Sequence, residues 1–263
     1  MTRWTIQTFD SIDSTNRWLV ERAAAGAADG LVAIADEQTA GRGRLDRTWT
    51  APPGTALLMS VFLRPTLPVA EWHLLTLALA DAALVSVHEL GARTAAVKWP
   101  NDIVAIRPDG EERKLAGILA QAVHSVQAVH SVHAVHAVQA VHGEHPGVVL
   151  GIGVNVTRPQ DLPDDVAARG VWLDELGVTT DARVLADAIL ANLDRVSSQT
   201  ADQLVERARN TCSTIGRRVR VELPSRSIDG TAVGLTSDAS LLVNDGISTK
   251  AFSAGDVVHL RVE

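Results

Sequence analysis

The chain holds a single cysteine, Cys212, among 263 residues. No internal disulfide can staple it, and a reducing compartment is expected. No apolar stretch approaches the ~20 residues that a membrane-spanning helix needs. The opening segment, MTRWTIQTFDSIDSTN, has no apolar run that would serve as a signal peptide. Positive charge is in deficit: 24 Lys and Arg against 31 Asp and Glu leave a net charge of −7. With a pI near 5.7, this balance argues against a general nucleic-acid binder, although a local basic site is still open. The expectation is a soluble cytoplasmic protein with no membrane partner.

Several chemical fingerprints are missing as well. There is no Gly-Lys dipeptide, so the phosphate loop GxxxxGK[ST] does not exist here. Gly151-Ile152-Gly153 begins like a dinucleotide fingerprint, but Val156 stands where the third glycine would fall. Cys212 has no Cys-x-x-Cys neighbour. No Gly-x-Ser-x-Gly elbow supports a hydrolase triad.

What is present is a chain that is 46% hydrophobic, enough for a full core in one large domain or one plus a small one. Its pattern is mixed α/β. Residues 14–25 read as a helix capped by Ser14 or Thr15 and stopped at Gly26. LVAIADEQ (31–38), TALLMSVFLRP (55–65), AAVKW (95–99), DIVAI (102–106), KLAGILAQ (114–121) and VVLGIGVNV (148–156) read as strands, with a hairpin turn at Asp109-Gly110. Helical spacing marks 69–90, 181–196 and 200–210. From Thr214 onward short alternating runs separated by turn residues predict a small all-β module, and the boundary is placed near residue 211. Domains of 1–210 and 211–263 follow.

Residues 122–142 repeat a triplet, AVH or SVQ and its variants, and His124, His130, His133, His136, His142 and His145 lie in or beside it. A period of three keeps valine on one face of neither strand nor α-helix. A histidine-rich tract can bind zinc or nickel. With no carboxylate or cysteine at ligand spacing, however, a repeat-expanded hairpin over 122–145 is the preferred reading.

The residues with chemistry cluster in short motifs. Ala40-Gly41-Arg42-Gly43-Arg44 sets two planar forks of donors, suited to carboxylate or phosphate, between glycines that let backbone bend and approach a ligand. Its alternative is a solvated turn. Lys98-Trp99-Pro100-Asn101-Asp102 places a lysine, an amide and a carboxylate at a strand end. Lys114-Leu115-Ala116-Gly117 starts the next strand, and the hairpin between them should bring Lys114 near the strand of Asp102. For each lysine the alternative is a solvated edge charge.

Taken in order, Ser14-Thr15-Asn16, Glu37 to Arg44, Lys98 to Asp102, Lys114 to Leu119 and Gly151-Ile152-Gly153-Val154-Asn155 resemble the biotin protein ligase family. The tail from Ile215 to Leu260, with Gly216, Val219 and Asp245-Gly246, resembles its small C-terminal barrel. The resemblance implies a mixed-sheet α/β (α+β) catalytic domain of the biotin/lipoyl ligase type, followed by a small SH3-like β-barrel. It also implies two chemical steps: biotin and ATP give biotinyl-5′-adenylate, then a lysine of a biotin carboxyl carrier domain of an acyl-CoA carboxylase takes the biotin.

The resemblance assigns roles residue by residue. Arg42, Arg44 and Lys114 match catalytic positions, where fixed cations would offset the charge gathered as a carboxylate meets a triphosphate. Ser14, Thr15 and Gln38 match positions around the ureido ring. Gly41, Gly117 and Gly151, together with Arg42 and Lys114, complete the biotin set. Arg42, Arg44, Trp49, Asn101, Asp102 and Asn155 form the ATP set; Trp49 and Trp99 could stack on adenine, with buried packing the preferred role for both. Mg2+ accompanies ATP, and Asp102 is the candidate near it, with no metal ligand assigned. A closed glycine-arginine loop would shield the adenylate from water.

Leu45 departs from relatives that continue with a basic residue or glycine. The triplet insert is expected to affect dimerisation or carrier docking, and a homodimer is allowed. Because Ser14-Thr15-Asn16 comes so early, a ligase without an operator-DNA-binding domain is expected. Two rivals stay open: a ligase for lipoate or another acyl acid, and a non-catalytic module that binds an anion or phosphate.

Overall fold

The structure, a computed structural model, describes residues 3–44, 47–107, 110–124, 139–142, 146–196, 198–223, 226–253 and 255–260. Among these, eight strands form the main sheet: β1 (Thr5–Ile12), β2 (Leu31–Gln38), β3 (Ala56–Leu63), β4 (Ala95–Lys98), β5 (Asp102–Ile106), β6 (Glu112–His124), β7 (Gln139–His142) and β8 (Gly147–Asn155). Their order is β1-β2-β3-β8-β6-β5-β4, with β7 beside β6. The pairings are antiparallel except β1–β2 and β6–β7, so the sheet is mixed as expected.

Helices cover both faces of the central strands. α1 (Thr15–Ala24) packs on β2, β3 and β8. Its buried stripe runs Thr15, Asn16, Leu19, Val20 and Ala23, the i, i+4 spacing of one helix face. α2 (Leu75–Glu89), entered through a 3-10 turn at Val69–Leu74, covers the other face together with α4 (Ala182–Val196). All of β3 is therefore buried, and this is why ALLMSVFL reads as an apolar run, interrupted only by Ser60, instead of an alternating one. Val69–Glu89 is long and apolar enough to cross a membrane by composition, but 67% of its most apolar window is packed inside the protein. It is a core helix.

α3 (Asp164–Arg169) is short, and α5 (Ala201–Thr211) leads to the second sheet. That sheet contains β9 (Arg218–Leu223), β10 (Arg226–Leu235), β11 (Leu241–Asn244), β12 (Thr249–Phe252) and β13 (Asp256–His259), antiparallel in the order β12-β11-β10-β9-β13. Its buried residues Val219, Val221, Leu241 and Phe252 join the same hydrophobic cluster as Val97, Trp99 and the α2 leucines. The C-terminal module is thus packed onto the rest of the chain by a continuous core.

Predicted and observed elements agree closely for the buried strands and for α1, α4 and α5. β1 was not foreseen. Among the described residues it pairs only with β2, and its residues are exposed or half-buried with none fully buried, so TIQTFDSI carries little apolar signal. The α1 stop is at Gly26, with φ +91°, the left-handed backbone that glycine adopts without strain. The strands flanking the triplet insert pair antiparallel from Ala116↔Val154 to Val123↔Gly147, as a hairpin requires, but β7 within the insert runs parallel to β6, so the insert is not a simple extension of that hairpin. Leu45, Asp109 and residues 125–138 and 143–145 lie outside the described residues, and with them most of the histidine tract.

Candidate active site

One cleft of about 760 Å³ opens over the face of the sheet and collects nearly all of the motifs. Its floor is built by register. Ser60, Gly151 and Leu119 form one cross-strand row over β3, β8 and β6. The next row on that face runs Leu58, Gly153, Gly117, Asp102 and Lys98 over five strands. Glycine at 117, 151 and 153 keeps the floor bare. A Cβ at Gly151 would stand 2.0 Å from Asn16 Oδ1, and one at Gly153 would stand 2.6 Å from Trp49 Cε2. Neither separation is sterically tolerable, and the space above the glycines is thereby reserved for side chains of the cleft.

At one end the polar start of the α1 stripe meets the sheet. Gln38 Oε1 accepts from Thr15 N at 2.7 Å and from Thr15 Oγ1 at 3.0 Å. Thr15 Oγ1 is 2.7 Å from Ser60 Oγ, and Ser60 Oγ donates to Asn16 Oδ1 at 2.6 Å. Asn16 Nδ2 donates to Gln121 Oε1 and to Leu119 O. Ser14 caps α1, accepting from Arg17 N, and lines the same end. The result is a buried, uncharged set of donors and acceptors. Polar groups withdrawn from water in this way require partners.

At the other end the cations gather. Lys114 Nζ lies 2.8 Å from Asp102 Oδ1, so the hairpin brings the two together as the sequence predicts. Arg44 donates to Asn101 Oδ1 at 2.6 Å, and Asn101 Nδ2 donates to Ile118 O. Arg42 pairs by backbone with Thr48, and Trp49 N donates to Gly41 O, which closes the glycine-arginine loop into an arch. The Arg42 guanidinium is exposed at the cleft and has no ion pair or hydrogen bond to a described residue. Trp49 lies across the glycine floor with Lys114 Nζ 5.6 Å from its ring centroid, a cation–π contact.

The cleft therefore assembles Ser14, Thr15, Gln38, Arg42, Arg44, Trp49, Asn101, Asp102, Lys114, Gly117, Gly151 and Asn155. Gly41 is the exception. It is buried behind the loop, where a Cβ would meet Trp49 O at 2.4 Å; it lets the arch close and does not line the cleft. Asn155 spends its amide on Lys114 O and Val171 O, bracing β6. Asp102 holds Lys114, and no group of three or more His, Cys, Asp or Glu among the described residues forms a metal cage. Trp99 is a packing residue, 4% exposed, with its indole donating to Ala239 O. Trp49 is not, since it faces the cleft.

Asn16, Ser60, Lys98, Glu112 and Gly153 also line the cleft and were not among the expected site residues. Ser60 left a signal, as the one hydroxyl inside the buried run ALLMSVFL, where an isolated polar group is costly unless it has a purpose. Glu112 sits deeper, its side chain 7% exposed. Burial works to raise its pKa, but the His259 imidazole and then Lys98 and Arg217 outweigh it and hold the carboxyl below its ordinary value.

Comparison with known proteins agrees with this arrangement. Residues 8–137 match the biotin/lipoate A/B protein ligase family and residues 214–260 match the biotin protein ligase C-terminal domain. A biotin–[acetyl-CoA-carboxylase] ligase of Mycobacterium tuberculosis is 39% identical over 258 residues, which span 94% of this chain and 86% of that protein. The bifunctional ligase/repressor BirA of Escherichia coli is 28% identical over 251 residues, spanning 94% of this chain and 71% of BirA. A biotin protein ligase of Aquifex aeolicus, solved with biotin and ATP, has the same fold at a TM-score of 0.74, with 23% identity and coverage of 98% and 99% of the two chains. Sequence order, fold and relatives agree: the chain belongs to the biotin protein ligase family.

Proposed function

We propose that this protein joins biotin to ATP as biotinyl-5′-adenylate and transfers the biotin to a lysine of a carrier domain. One observation carries the proposal. The Lys114 ammonium stands in a single cleft with both a buried, uncharged hydrogen-bonding end and the arginines of the glycine loop. A ligand with a neutral polar head and a carboxylate tail suits that division.

In the first step an oxygen of the biotin carboxylate forms a bond to the α-phosphorus of ATP, and the bond to pyrophosphate breaks. Negative charge converges on approach and spreads over the phosphoryl oxygens. Lys114, Arg42 and Arg44 are the groups placed to stabilise it, and they act more strongly as water leaves the cleft. In the second step the amine of the carrier lysine forms an amide with the acyl carbon, AMP departs with the anhydride electrons, and the amine proton passes to solvent. A magnesium ion entering with ATP belongs to that substrate.

Biotin is favoured over lipoate by the polar end. A dithiolane ring would lie against Thr15, Asn16, Gln38 and Ser60 without offering a hydrogen bond to their remaining donors and acceptors, and sites built to pair a polar ligand discriminate strongly against one that cannot. A purely anion-binding module would have no use for this end. As partner we propose the carrier domain of a biotin-dependent carboxylase, in the cytoplasm. A role on operator DNA is not proposed, in keeping with the net charge of −7. The division into 1–210 and 211–263 is likewise proposed, supported by the residue ranges of the two sheets. The test is pyrophosphate release from ATP: it should require biotin, fail with lipoate and fail in Lys114→Ala. Release with lipoate at a comparable rate would reverse the choice of substrate.

A further inference from the structure

The last strand of the C-terminal module reaches the cleft through a chain of contacts. His259 Nδ1 on β13 lies 2.7 Å from Glu112 Oε2, at side-chain exposures of 10% and 7%. Its Nε2 lies 3.1 Å from Thr214 Oγ1, which also accepts from Trp99 N. The imidazole is held by a hydrogen bond at Nε2, while Nδ1 and Glu112 Oε2 face each other as a close charge contact that is not aligned as a hydrogen bond. Glu112 in turn lies 3.7 Å from Lys98 Nζ, a looser approach than the one it makes to His259. Lys98 and Glu112 both line the cleft, and Lys98 ends the floor row beyond Gly117 and Asp102. Lys114 already has Asp102 within hydrogen-bonding distance, whereas among the described residues Lys98 has only the shared carboxylate.

We infer that His259 is a positioning residue for nucleotide binding: by holding Glu112 it fixes Lys98 on the cleft wall, with most of its charge left to meet the polyphosphate of ATP. The inference rests on the proposed ligase reading. Geometry supplies the reason. A carboxylate tied closely to His259 can orient Lys98 at 3.7 Å without neutralising it. If His259 is removed, the carboxylate is held only by the long 3.4 Å hydrogen bond from Ser213 Oγ to Glu112 Oε1 among the described residues, so Glu112 can close onto Lys98 and the cation is lost to an internal pair. The lowered pKa of Glu112 agrees, because the carboxylate stays charged among His259, Lys98 and Arg217. The C-terminal module then contributes to the nucleotide end of the site without touching the substrate.

The experiment is equilibrium binding of ATP and, separately, of biotin by titration calorimetry on the full chain, for wild type, Lys98→Ala, His259→Ala, Glu112→Gln and His259→Asn. Melting curves check that each variant is folded. Lys98→Ala and His259→Ala should each weaken ATP about tenfold, the loss expected for one charge-assisted contact. Biotin affinity should be unchanged. A Lys98→Ala/His259→Ala double variant should be little worse than the poorer single one, because both act through the same contact. His259→Asn, whose amide nitrogen falls near the place of Nδ1, should recover most of the ATP affinity. ATP affinity that survives in folded His259→Ala, or that falls together with biotin affinity and is not restored by Asn, overturns the inference. If His259→Ala does not fold, Glu112→Gln reads the same coupling from the other side: with no carboxylate left to neutralise Lys98, ATP affinity should not fall, and a tenfold loss there is equally fatal. Wild type that binds ATP but releases no pyrophosphate with biotin would count against the ligase reading and leave this comparison intact.

Discussion

Replacing Gly151 by alanine should damage both stability and biotin binding, and the structure gives the size of the effect. The new methyl would lie 2.0 Å from Asn16 Oδ1 and 2.8 Å from its Cγ, so the Asn16 side chain must leave. That side chain cannot rotate freely, because it accepts from Ser60 and donates to Gln121 and Leu119 O. Displacement removes those bonds. Ser60, 1% exposed, can still turn to Thr15, and Gln121 can turn to water, so the hydrogen-bond loss is about 1–2 kcal/mol. Forcing a methyl into a packed site adds about 1–3 kcal/mol. A total near 3 kcal/mol should lower the Tm by about 6–12 °C for a chain of this size. Because Asn16 follows Thr15 on α1, the polar end of the cleft should distort too, and biotin should bind at least about tenfold more weakly. Thermal melting and calorimetric titration with biotin measure the two effects. A Gly151→Ala protein with wild-type Tm and wild-type biotin affinity would show that the polar end is not packed as described.

Three further outcomes are expected. Ser60→Ala deletes the hydroxyl between Thr15 and Asn16, leaves Asn16 Oδ1 buried without its donor, and should weaken biotin about five- to tenfold with ATP affinity unchanged, by titration. Asp102→Ala releases Lys114, and since the pair is 27% and 39% exposed the stability change should stay within about 1 kcal/mol, while adenylate formation drops about a hundredfold; a stability loss with normal activity would contradict the assignment. Glu112 has a folded pKa below its ordinary 4.5, so its ionised form stabilises the protein above that value and the contribution fades as pH falls through the lower folded one. Denaturant melts between about pH 6 and pH 3 should therefore show wild type losing stability more steeply than Glu112→Gln, and parallel curves would argue against the His259 contact.

How much of this was legible in the sequence depended on the physics of each segment. LVAIADEQ declared β2 because its first five residues, covered on both faces, are all apolar, and its polar end DEQ runs on into the cleft. Ser14 and Gly26 bracketed α1 because caps and left-handed stops have few residue choices. The Lys114–Asp102 pair followed from hairpin geometry alone. β1 stayed hidden because an exposed strand at the edge of the sheet has little to bury. Gly41 was assigned to the cleft because a glycine beside Arg42 allows close ligand approach, but the space it preserves is for the Trp49 backbone. His259 and Glu112 belong to different sheets, and no local pattern announces a contact of that kind.

The central claim is that Lys114 and the glycine-arginine loop serve ATP-driven activation of biotin. The most direct measurement is transfer of biotin to a purified carrier domain, read with streptavidin, with ATP present or omitted, for wild type and Lys114→Ala. The account predicts label on a single carrier lysine only with ATP, and a rate lower by about a hundredfold or more in Lys114→Ala. Label without ATP, or undiminished transfer by the variant, would contradict it.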